Sequence, residues 1–262
     1  GLLNSLGKMY IGTIHAYCLQ LLKDHYNFGA SSMLDEVSQA AYVRMHREDL
    51  GISSNGNFKA DFLVWIDERD RPKQFLKSYE ILFDEELDLN VVRNARPNFM
   101  FRVDILEDHF KEDQVLTFGQ LIKLAIEELE INRDPVKNLK YLFVDEYQDV
   151  NKAQEHLIRL LGEDVPELEK QTEVFVVGDP KQSIYHWRGS RLECFLGFDR
   201  LFPEKEVMDF IIPENWRSLE NIVYLSNEFS NQYDINNQAL TSEPKRLSNT
   251  GLITQLSFET KE

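Results

Sequence analysis

Apolar side chains recur at helical spacing near the start of the chain and again in its middle. Ile14, Cys18, Leu22 and Tyr26 are each four residues apart. This spacing predicts a helix that Thr13 caps, after a short strand-like piece that ends at Gly12. The stretch 115–130, "VLTFGQLIKLAIEELE", predicts a second amphipathic helix.

Residues 27–110 differ from their surroundings because they are polar and charged, with Gly- and Ser-rich breaks between amphipathic pieces. The amphipathic pieces lie at 36–50, 59–69 and 73–87. We expect this region to be a helical insertion with a small core of its own.

Two stretches are continuously apolar, and they indicate the centre of the fold. They lie at 140–144 and 173–177, and a helical pattern at 152–161 separates them. Continuous apolar runs are typical of parallel strands that are covered on both faces. The pattern therefore predicts an α/β fold in which helices flank a parallel sheet.

The remaining sequence predicts weaker elements. A short strand is expected at 206–212, and a helix at 218–230 should direct Ile222, Leu225 and Phe229 inward. The closing "GLITQLSFE" alternates as a strand does and is interpreted as the opening of another domain.

Composition narrows the class of protein. The chain has 262 residues and a net charge of −16. This charge argues against a broadly basic nucleic-acid binder, but it does not exclude one local groove that binds a single strand. No apolar run approaches a membrane span, so no membrane association is expected. Cys18 and Cys194 are the only cysteines, which excludes a disulfide framework or a four-cysteine metal site and favours a reduced, cytoplasmic setting.

Carboxylates follow the first apolar run directly, in "YLFVDEYQDVNKAQ". Asp145 and Glu146 end that predicted strand, and Asp179 follows the second one. Ligands of open parallel sheets bind at the carboxyl ends of strands, where an Asp can hold Mg²⁺ and a neighbouring Glu can activate water. A structural interpretation is equally open here: these are carboxylates favoured at a helix N-terminus, with Asp149 capping helix 152–161.

The order of four motifs decides between these interpretations. The chain carries "IGTIHAYCLQLL", "VDEYQDVNKAQ", "VVGDPKQSIYHWRGS" and "NWRS" in that order. Together they resemble the superfamily 1 DNA helicases of the UvrD, Rep and RecB kind, and "GDPKQ" leans toward the RecB/AddA-like branch. One departure is "TFGQLI", which stands where the family has "DFDDLL".

The resemblance implies a RecA-like P-loop NTPase motor domain that uses ATP and Mg²⁺. Asp145 would coordinate Mg²⁺, and Glu146 would be the general base. Gln148 and Asp179 would belong to the nucleotide site, and Gln182 would sense the γ-phosphate. In "NWRS", Trp216 would stack on the adenine and Arg217 would reach the γ-phosphate, whereas Ser218 is better explained as a helix cap.

The resemblance also implies contacts with single- and double-stranded DNA. The residues implied are Thr13, His15, Tyr185, Trp187 and Arg188. The two aromatic residues would stack on bases without sequence preference. Structural alternatives are core packing for Tyr185 and Trp187, a local ion pair for Arg188 and a satisfied structural role for His15.

The resemblance assigns domains as well. Residues 1–26 and 111–230 would form part of the first motor domain (1A), residues 27–110 an insertion (1B-like), and residues 231–262 a linker and the start of a second motor domain. No "GxxxxGK[ST]" phosphate-binding loop occurs in the 262 residues. We therefore expect an interior part of a longer motor that is inactive by itself.

Three functions follow from these observations. The first is a part of an ATP-dependent 3′→5′ DNA helicase, with possible partner subunits of a helicase–nuclease complex. The second is a naturally truncated, non-catalytic module that binds DNA or another subunit. The third is a phosphohydrolase that uses Asp145, Asp149 and Asp179 on metals, which leaves Gln182, Trp187 and "NWRS" unexplained.

Overall fold

A computed structural model describes residues 9–26, 29, 31–53, 66–183, 191–230 and 241–242. The chain divides into two compact units. The first comprises residues 1–179 and 183–202, and the second comprises residues 180–182 and 203–262.

The first unit alternates helices with short strands. Its helices are α1 (Ile14–His25), α2 (Glu36–Met45), α3 (Arg71–Asp84), α4 (Leu89–Ala95), α5 (Pro97–Glu112), α6 (Phe118–Ile131), α7 (Lys152–Gly162) and α8 (Leu192–Leu196). Its strands are β1 (Ser32–Met33), β2 (Val115–Leu116), β3 (Tyr141–Val144) and β4 (Glu173–Val176). β1 pairs with β2 and β3 with β4, both in parallel. The predicted mixture of helices and parallel strands is confirmed.

One hydrophobic core is built almost entirely from helices α2, α3 and α5 and the turn after α2. Its fully buried members include Phe75, Tyr79 and Phe110. The buried guanidinium of Arg102 on α5 donates to the carbonyls of Leu50 and Gly51, which fixes the turn after α2. Helices α4 and α5, which the sequence pattern did not single out, complete this layer. The domain boundaries stay a prediction.

A second core joins α1, α6 and α7. Each of these helices begins at a side-chain cap: Thr13 accepts from the Ala16 amide, and Thr117 and Asn151 form capping boxes with Gln120 and Gln154. The cap at Thr13 confirms the prediction. Helix α6 begins at Phe118 rather than 115, because Val115 and Leu116 pair with β1 as a strand.

The central strand pair is covered on one face among the described residues. β3 and β4 run in parallel register from Tyr141↔Glu173 to Val144↔Val176, with α7 as the crossover. Leu142, Val144, Val174 and Val176 pack inward on Tyr147, Val150, Ile158 and Phe202. Tyr141 and Phe143 are 65% and 72% exposed. The prediction of strands buried on both faces is therefore wrong for this part of the chain. Although the residues are apolar in an unbroken run, exposed and partly buried side chains alternate along both strands.

The second unit is smaller, and several predictions fail there. Its described elements are β5 (Glu214–Asn215), β6 (Thr241–Ser242), which is parallel to β5, and α9 (Glu220–Ser230). Residues 206–212 are described but form no strand. On α9 Val223 is buried, whereas Ile222, Leu225 and Phe229 are 44%, 49% and 60% exposed, so their predicted inward orientation is wrong. Most of the apolar side chains of α9 are therefore left uncovered by the described residues.

Other predictions fall at the edges of the described ranges. Residues 9–12 are described and form no strand, contrary to expectation. Most of the predicted helical piece 59–69 and the whole of "GLITQLSFE" lie outside the described residues. Within the described residues, no helix combines the length and apolar character that a membrane span requires.

Candidate functional site

The loop after β3 holds two adjacent carboxylates in a constrained backbone. Glu146 adopts a left-handed conformation with φ 52° and ψ 42°, which is uncommon for a residue with a side chain. Its amide donates to Asp145 Oδ1 at 2.9 Å, and the next amide, of Tyr147, donates to the Val177 carbonyl at 2.9 Å. Asp145 and Glu146 are both exposed at the carboxyl end of β3. The backbone thus reverses sharply here and leaves both carboxylates at the sheet edge.

Gln148 connects this loop to the end of β4. Its side chain is 1% exposed. Nε2 donates to Glu146 Oε2 at 2.7 Å, and Oε1 accepts from the Asp179 amide at 3.0 Å. Because an amide N–H can only meet an acceptor, the Asp179 contact fixes the orientation of the Gln148 amide and turns its NH₂ toward Glu146. One buried amide therefore positions the Glu146 carboxylate and is itself anchored to the loop that follows β4.

Gly178 allows this approach. A Cβ atom at Gly178 would lie 2.5 Å from Gln148 Oε1 and 2.7 Å from a ring carbon of Phe195. Real Cβ atoms do not come so close to other atoms, and the neighbouring backbone nitrogen of Gln148 would be 3.2 Å away. A glycine at 178 is thus a packing requirement of the Gln148 bridge.

Asp149 lies behind the loop rather than on the following helix. Burial, followed by the nearby charge of Glu146, raises the pKa of Asp149. Its Oδ1 is buried and has no hydrogen-bond partner among the described residues. Asn151 caps α7, so the interpretation of Asp149 as the cap of that helix is wrong. Two residues separate Asp149 from the first helical position, which places it too early for the cap geometry.

The remaining nucleotide-site candidates belong to the second unit. Gln182 is exposed on the short 3₁₀ turn Pro180–Gln182. Asn215 Oδ1 accepts from the amides of Arg217 and Ser218 at 3.0 and 2.7 Å, which shapes the "NWRS" turn. Trp216 is 65% exposed, and Arg217 is exposed as well.

Ser218 does not cap the helix that follows it. Helix α9 begins at Glu220, and the carbonyl of Leu219 accepts from the amides of Ile222 and Val223. The carbonyl of the cap residue accepts the first helical bonds, so Leu219 occupies the cap position. The interpretation of Ser218 as the N-cap is therefore wrong by one residue.

The candidate DNA contacts fall into two groups. Thr13 uses its hydroxyl as the cap of α1. The ring of His15 lies 4.8 Å from that of Phe118, and burial lowers the pKa of His15, which favours the neutral imidazole. Tyr185, Trp187 and Arg188 lie outside the described residues. The DNA-binding roles of all five residues stay predictions.

A buried polar network occupies the place of the departing motif "TFGQLI". Tyr79 donates to Glu107 Oε1 at 2.5 Å, and Gln120 Nε2 donates to Glu107 Oε2 at 2.8 Å. The Gln120 Oε1 atom accepts from the Thr117 amide at 2.8 Å. Each partner comes from a different helix or cap, so this stretch ties α3, α5 and α6 together. Sequence reasoning missed the network because its members lie far apart along the chain.

Sequence reasoning also missed a basic cavity in this acidic chain. A cavity of about 480 Å³ is lined by Arg44, Arg47 and Arg69, together with Glu68, Ile52 and Pro72. All three arginines are exposed. The spacing of Arg44 and Arg47 along α2 and its following turn was a visible signal, since residues three apart share a helix face.

The chain resembles known proteins over most of its length. The profile of the family described as UvrD/REP helicase N-terminal domain matches residues 2–203. A probable DNA helicase II homolog of Mycoplasma capricolum is 26% identical over 234 residues, which cover 86% of this chain and 31% of that protein. The ATP-dependent DNA helicase PcrA of Leuconostoc citreum is 26% identical, with 91% of this chain and 30% of that protein covered. PcrA of Bacillus subtilis is 27% identical, with 84% of this chain and 29% of that protein covered. The chain thus spans less than a third of the length of these relatives.

Proposed function

We propose that this chain, which belongs to the UvrD/REP helicase N-terminal domain family, forms part of the RecA-like motor of an ATP-dependent 3′→5′ DNA helicase. The observation that carries the proposal is the pair Asp145–Glu146 at the carboxyl end of a parallel strand, where the side chain of Gln148, anchored to the Asp179 amide after β4, holds Glu146. Parallel sheets place ligands at this edge. The unwinding direction and the DNA substrate come from the family.

The carboxylates suit a magnesium nucleotide. Asp145 accepts a hydrogen bond from the Glu146 amide through Oδ1, and its side chain is exposed. Mg²⁺ prefers hard oxygen ligands and is held in nucleotide sites by one or two carboxylates plus phosphates, so Asp145 fits as a ligand. When bound, Mg²⁺ neutralises charge on the β- and γ-phosphates.

Glu146 is suited to take a proton from the attacking water. Its Oε2 accepts from Gln148, and the carboxylate as a whole remains exposed. A general base must be held within hydrogen-bond reach of its proton, and the buried amide of Gln148 restricts the rotation of the Glu146 side chain. Glu146 thus acts as base, and Gln148 positions it.

The resemblance also gives three residues of the second unit a nucleotide-binding role. Gln182 would report the γ-phosphate, since its amide can donate to a phosphate oxygen and accept from water. Arg217 would neutralise charge on the phosphates with a planar guanidinium. The exposed face of Trp216 would stack on adenine.

The proposed DNA contacts combine family positions with the arginine cavity. Thr13, His15, Tyr185, Trp187 and Arg188 are proposed to touch the strand that the motor follows. Arg44, Arg47 and Arg69 line a cavity that suits phosphate groups of the same nucleic acid. Partner subunits, as in helicase–nuclease complexes, stay a prediction of the resemblance.

Replacing the proposed base in the full-length protein tests the nucleotide site. Glu146→Gln removes the proton acceptor but keeps size and hydrogen bonding, so DNA-stimulated kcat for ATP should fall about 10²–10⁴-fold. Glu167→Gln, at an exposed position after α7, is the matched control and should leave kcat unchanged. Equal non-zero rates in Glu146→Gln and the parent protein would refute Glu146 as the base, and a parent protein without ATPase activity would favour a non-catalytic module. The 262-residue chain alone should hydrolyse no ATP, because its sequence contains no phosphate-binding loop.

A charge-matched pair of triple variants tests the arginine cavity. Alanine at Arg44, Arg47 and Arg69 should weaken DNA binding by the full-length protein uniformly across sequences. The slope of log K against log salt should also become shallower, by roughly 0.7–0.9 per lost phosphate contact. Alanine at the exposed Lys111, Lys140 and Lys152 removes the same charge elsewhere. If both triple variants lose affinity equally, only net charge matters and the cavity is not a DNA site.

A further inference from the structure

Two histidines and one carboxylate converge at the ends of α2 and α5, and none of the three has a role in the proposed function. His46 follows the last residue of α2, Asp49 lies in the turn after it, and His109 is in the last turn of α5. One ligand atom from each of the three lies within 4.8 Å of the other two. His46 Nδ1 and His109 Nε2 are both 3.6 Å from the same oxygen, Asp49 Oδ2.

Packing holds the two imidazoles in place. Their ring centroids are 4.2 Å apart with an interplanar angle of 36°. The ring of Tyr42 also packs against the imidazole of His46, with the two ring centroids 4.6 Å apart. The Tyr42 hydroxyl donates to Asp113 Oδ2 at 2.5 Å, which anchors this aromatic wall to the end of α5. The cluster is therefore preorganised, because packing already holds the two imidazoles next to each other.

Hydrogen bonding does not account for the arrangement. Both nitrogen–oxygen distances of 3.6 Å exceed the range of a hydrogen bond. His46 Nε2 is also buried, with no hydrogen-bond partner among the described residues. The three ligand atoms instead lie close enough together to share one ion.

The spacing matches the edges of a tetrahedral metal site. Ligand atoms about 2.0–2.2 Å from Zn²⁺ are about 3.3–3.6 Å apart when the geometry is tetrahedral. The two nitrogen–oxygen distances of 3.6 Å lie at the upper end of this range. Two imidazoles and one carboxylate are ligands typical of zinc and its first-row neighbours, whereas Mg²⁺ prefers oxygen.

We propose that His46, Asp49 and His109 bind a divalent transition-metal ion, with Zn²⁺ the preferred ion and water as the fourth ligand. The side chains of His46 and His109 are 18% and 24% exposed, and Asp49 is 60% exposed, so the ion enters from solvent on the Asp49 side. The bound ion joins the turn after α2 to the end of α5, both of which flank the helical core. Its role is to stabilise that layer, separately from nucleotide chemistry.

Titration of the metal-stripped chain with CoCl₂ and ZnCl₂ tests the site. Co²⁺ should produce the visible absorption of a tetrahedral nitrogen–oxygen site, and one equivalent of Zn²⁺ should displace it, whereas a large excess of MgCl₂ should not. Zn²⁺ should also raise the thermal unfolding midpoint, and EDTA should reverse the rise.

Variants assign the binding to this cluster. Asp49→Asn and His109→Gln should each weaken Zn²⁺ binding by at least about tenfold, since each removes one of three protein ligands. His25→Gln, at an exposed histidine in the last turn of α1, is the control and should bind as the parent does. The midpoints of the metal-free variants show that they fold.

Two results would overturn the proposal. One is the absence of saturable Co²⁺ or Zn²⁺ binding by the folded parent chain. The other is equal binding by the parent chain, Asp49→Asn and His109→Gln, including binding with a thiolate-to-cobalt band, which would assign the metal to cysteine. Burial raises the pKa of Cys18 and Cys194 to about 12, so their thiols should remain protonated and the band should be absent.

Discussion

Two short turns lie at the ends of parallel strands and are each organised by one side-chain amide: "DEYQ" at 145–148, directly after β3, and "NWRS" at 215–218, which begins at the last residue of β5. In the first turn, Gln148 is buried and bonds both to Glu146 and to Asp179, 31 residues away along the chain. In the second, the Asn215 side chain accepts, among the described residues, from the amides two and three residues ahead. The aromatic residues differ accordingly, since Tyr147 is 0% exposed and Trp216 is 65% exposed.

The difference shows two ways of presenting functional side chains. Tertiary contacts fix the first turn, so its carboxylates have a defined position before any ligand arrives. Local hydrogen bonds shape the second turn, and its aromatic ring lies in solvent. We infer that the first turn supplies preorganised chemistry and that the second supplies surface to a ligand.

The largest expected effect comes from removing the aromatic side chain of each turn. Tyr147→Ala should lower the free energy of unfolding by about 3–5 kcal/mol, because it empties a fully buried site. Trp216→Ala should change it by less than about 0.5 kcal/mol, since the ring is exposed. Chemical denaturation of the chain measures both values.

Tyr147→Phe is the control for that comparison. The Tyr147 hydroxyl is buried without a hydrogen-bond partner among the described residues. Its removal should therefore leave stability unchanged or slightly higher. A loss as large as that of Tyr147→Ala would mean that the hydroxyl, rather than the ring, carries the packing role.

The second effect concerns pH and the support behind the first turn. Asn151, the cap of α7, donates to Asp84 Oδ1 at 2.9 Å. Burial, and then the charges of Glu80 and Glu85, raise the pKa of Asp84 to about 7. A carboxyl whose pKa is raised on folding binds more protons in the folded state, so its contribution to stability is lost as pH rises from about 4 to about 7.

Replacing this carboxyl group should remove that pH dependence. Asp84→Asn keeps the oxygen that faces Asn151 and should raise the free energy of unfolding by about 2–4 kcal/mol at pH 8 but hardly at pH 4. Asp209→Asn, at an exposed position of the second unit, is the control for net charge. Denaturation curves at both pH values give the answer. An equal gain for Asp84→Asn at pH 4 and pH 8 would contradict a raised pKa.

The third effect separates positioning from packing at Gln148. Gln148→Ala should lower the free energy of unfolding by about 1–3 kcal/mol, because it leaves the Asp179 amide without its acceptor. In the full-length protein it should also lower kcat for ATP by about tenfold or more while KM changes little, since Glu146 is no longer held. Gln148→Glu restores the acceptor but brings a carboxylate against Glu146, so kcat should stay low. Recovery of kcat in Gln148→Glu would show that Gln148 acts through packing alone.

The smallest effect belongs to the second amide. Asn215→Ala should lower the free energy of unfolding by only about 0.5–1 kcal/mol, because the turn it shapes is local. Hydrogen exchange of the Arg217 and Ser218 amides should become faster, as these are the donors that lose their acceptor. Asn215→Asp retains the acceptor oxygen and should keep both amides protected. Unchanged exchange in Asn215→Ala would mean that other contacts hold the turn.

The sequence predicted helices better than it predicted caps or exposure. Helical spacing identified α1 and α7, and Thr13 caps α1 as predicted, whereas Asn151 rather than Asp149 caps α7. The continuous run "YLFV" suggested burial on two faces, yet one face is exposed in the described chain. An apolar run specifies a strand that can be covered, and only the neighbouring elements decide whether it is covered.

In the candidate site, too, the sequence identified residues but not the contacts between distant parts of the chain. Motif order was sufficient to select Asp145, Glu146, Gln182, Trp216 and Arg217 as candidates. The bridge from Gln148 to Asp179 and the packing requirement at Gly178 were not visible, because each joins residues distant in sequence. The cluster of His46, Asp49 and His109 was missed for the same reason, since His109 comes from another helix.

The sequence by itself determined the family, the α/β class and the identity of the candidate residues, since motif order and local periodicity are properties of the chain. Tertiary structure decided which of these residues are held rigidly, which surfaces stay exposed and which side chains meet across helices. The physical reason is that a buried hydrogen bond or a shared ligand oxygen depends on approach to within about 3–4 Å. Only the packing of distant segments sets such distances.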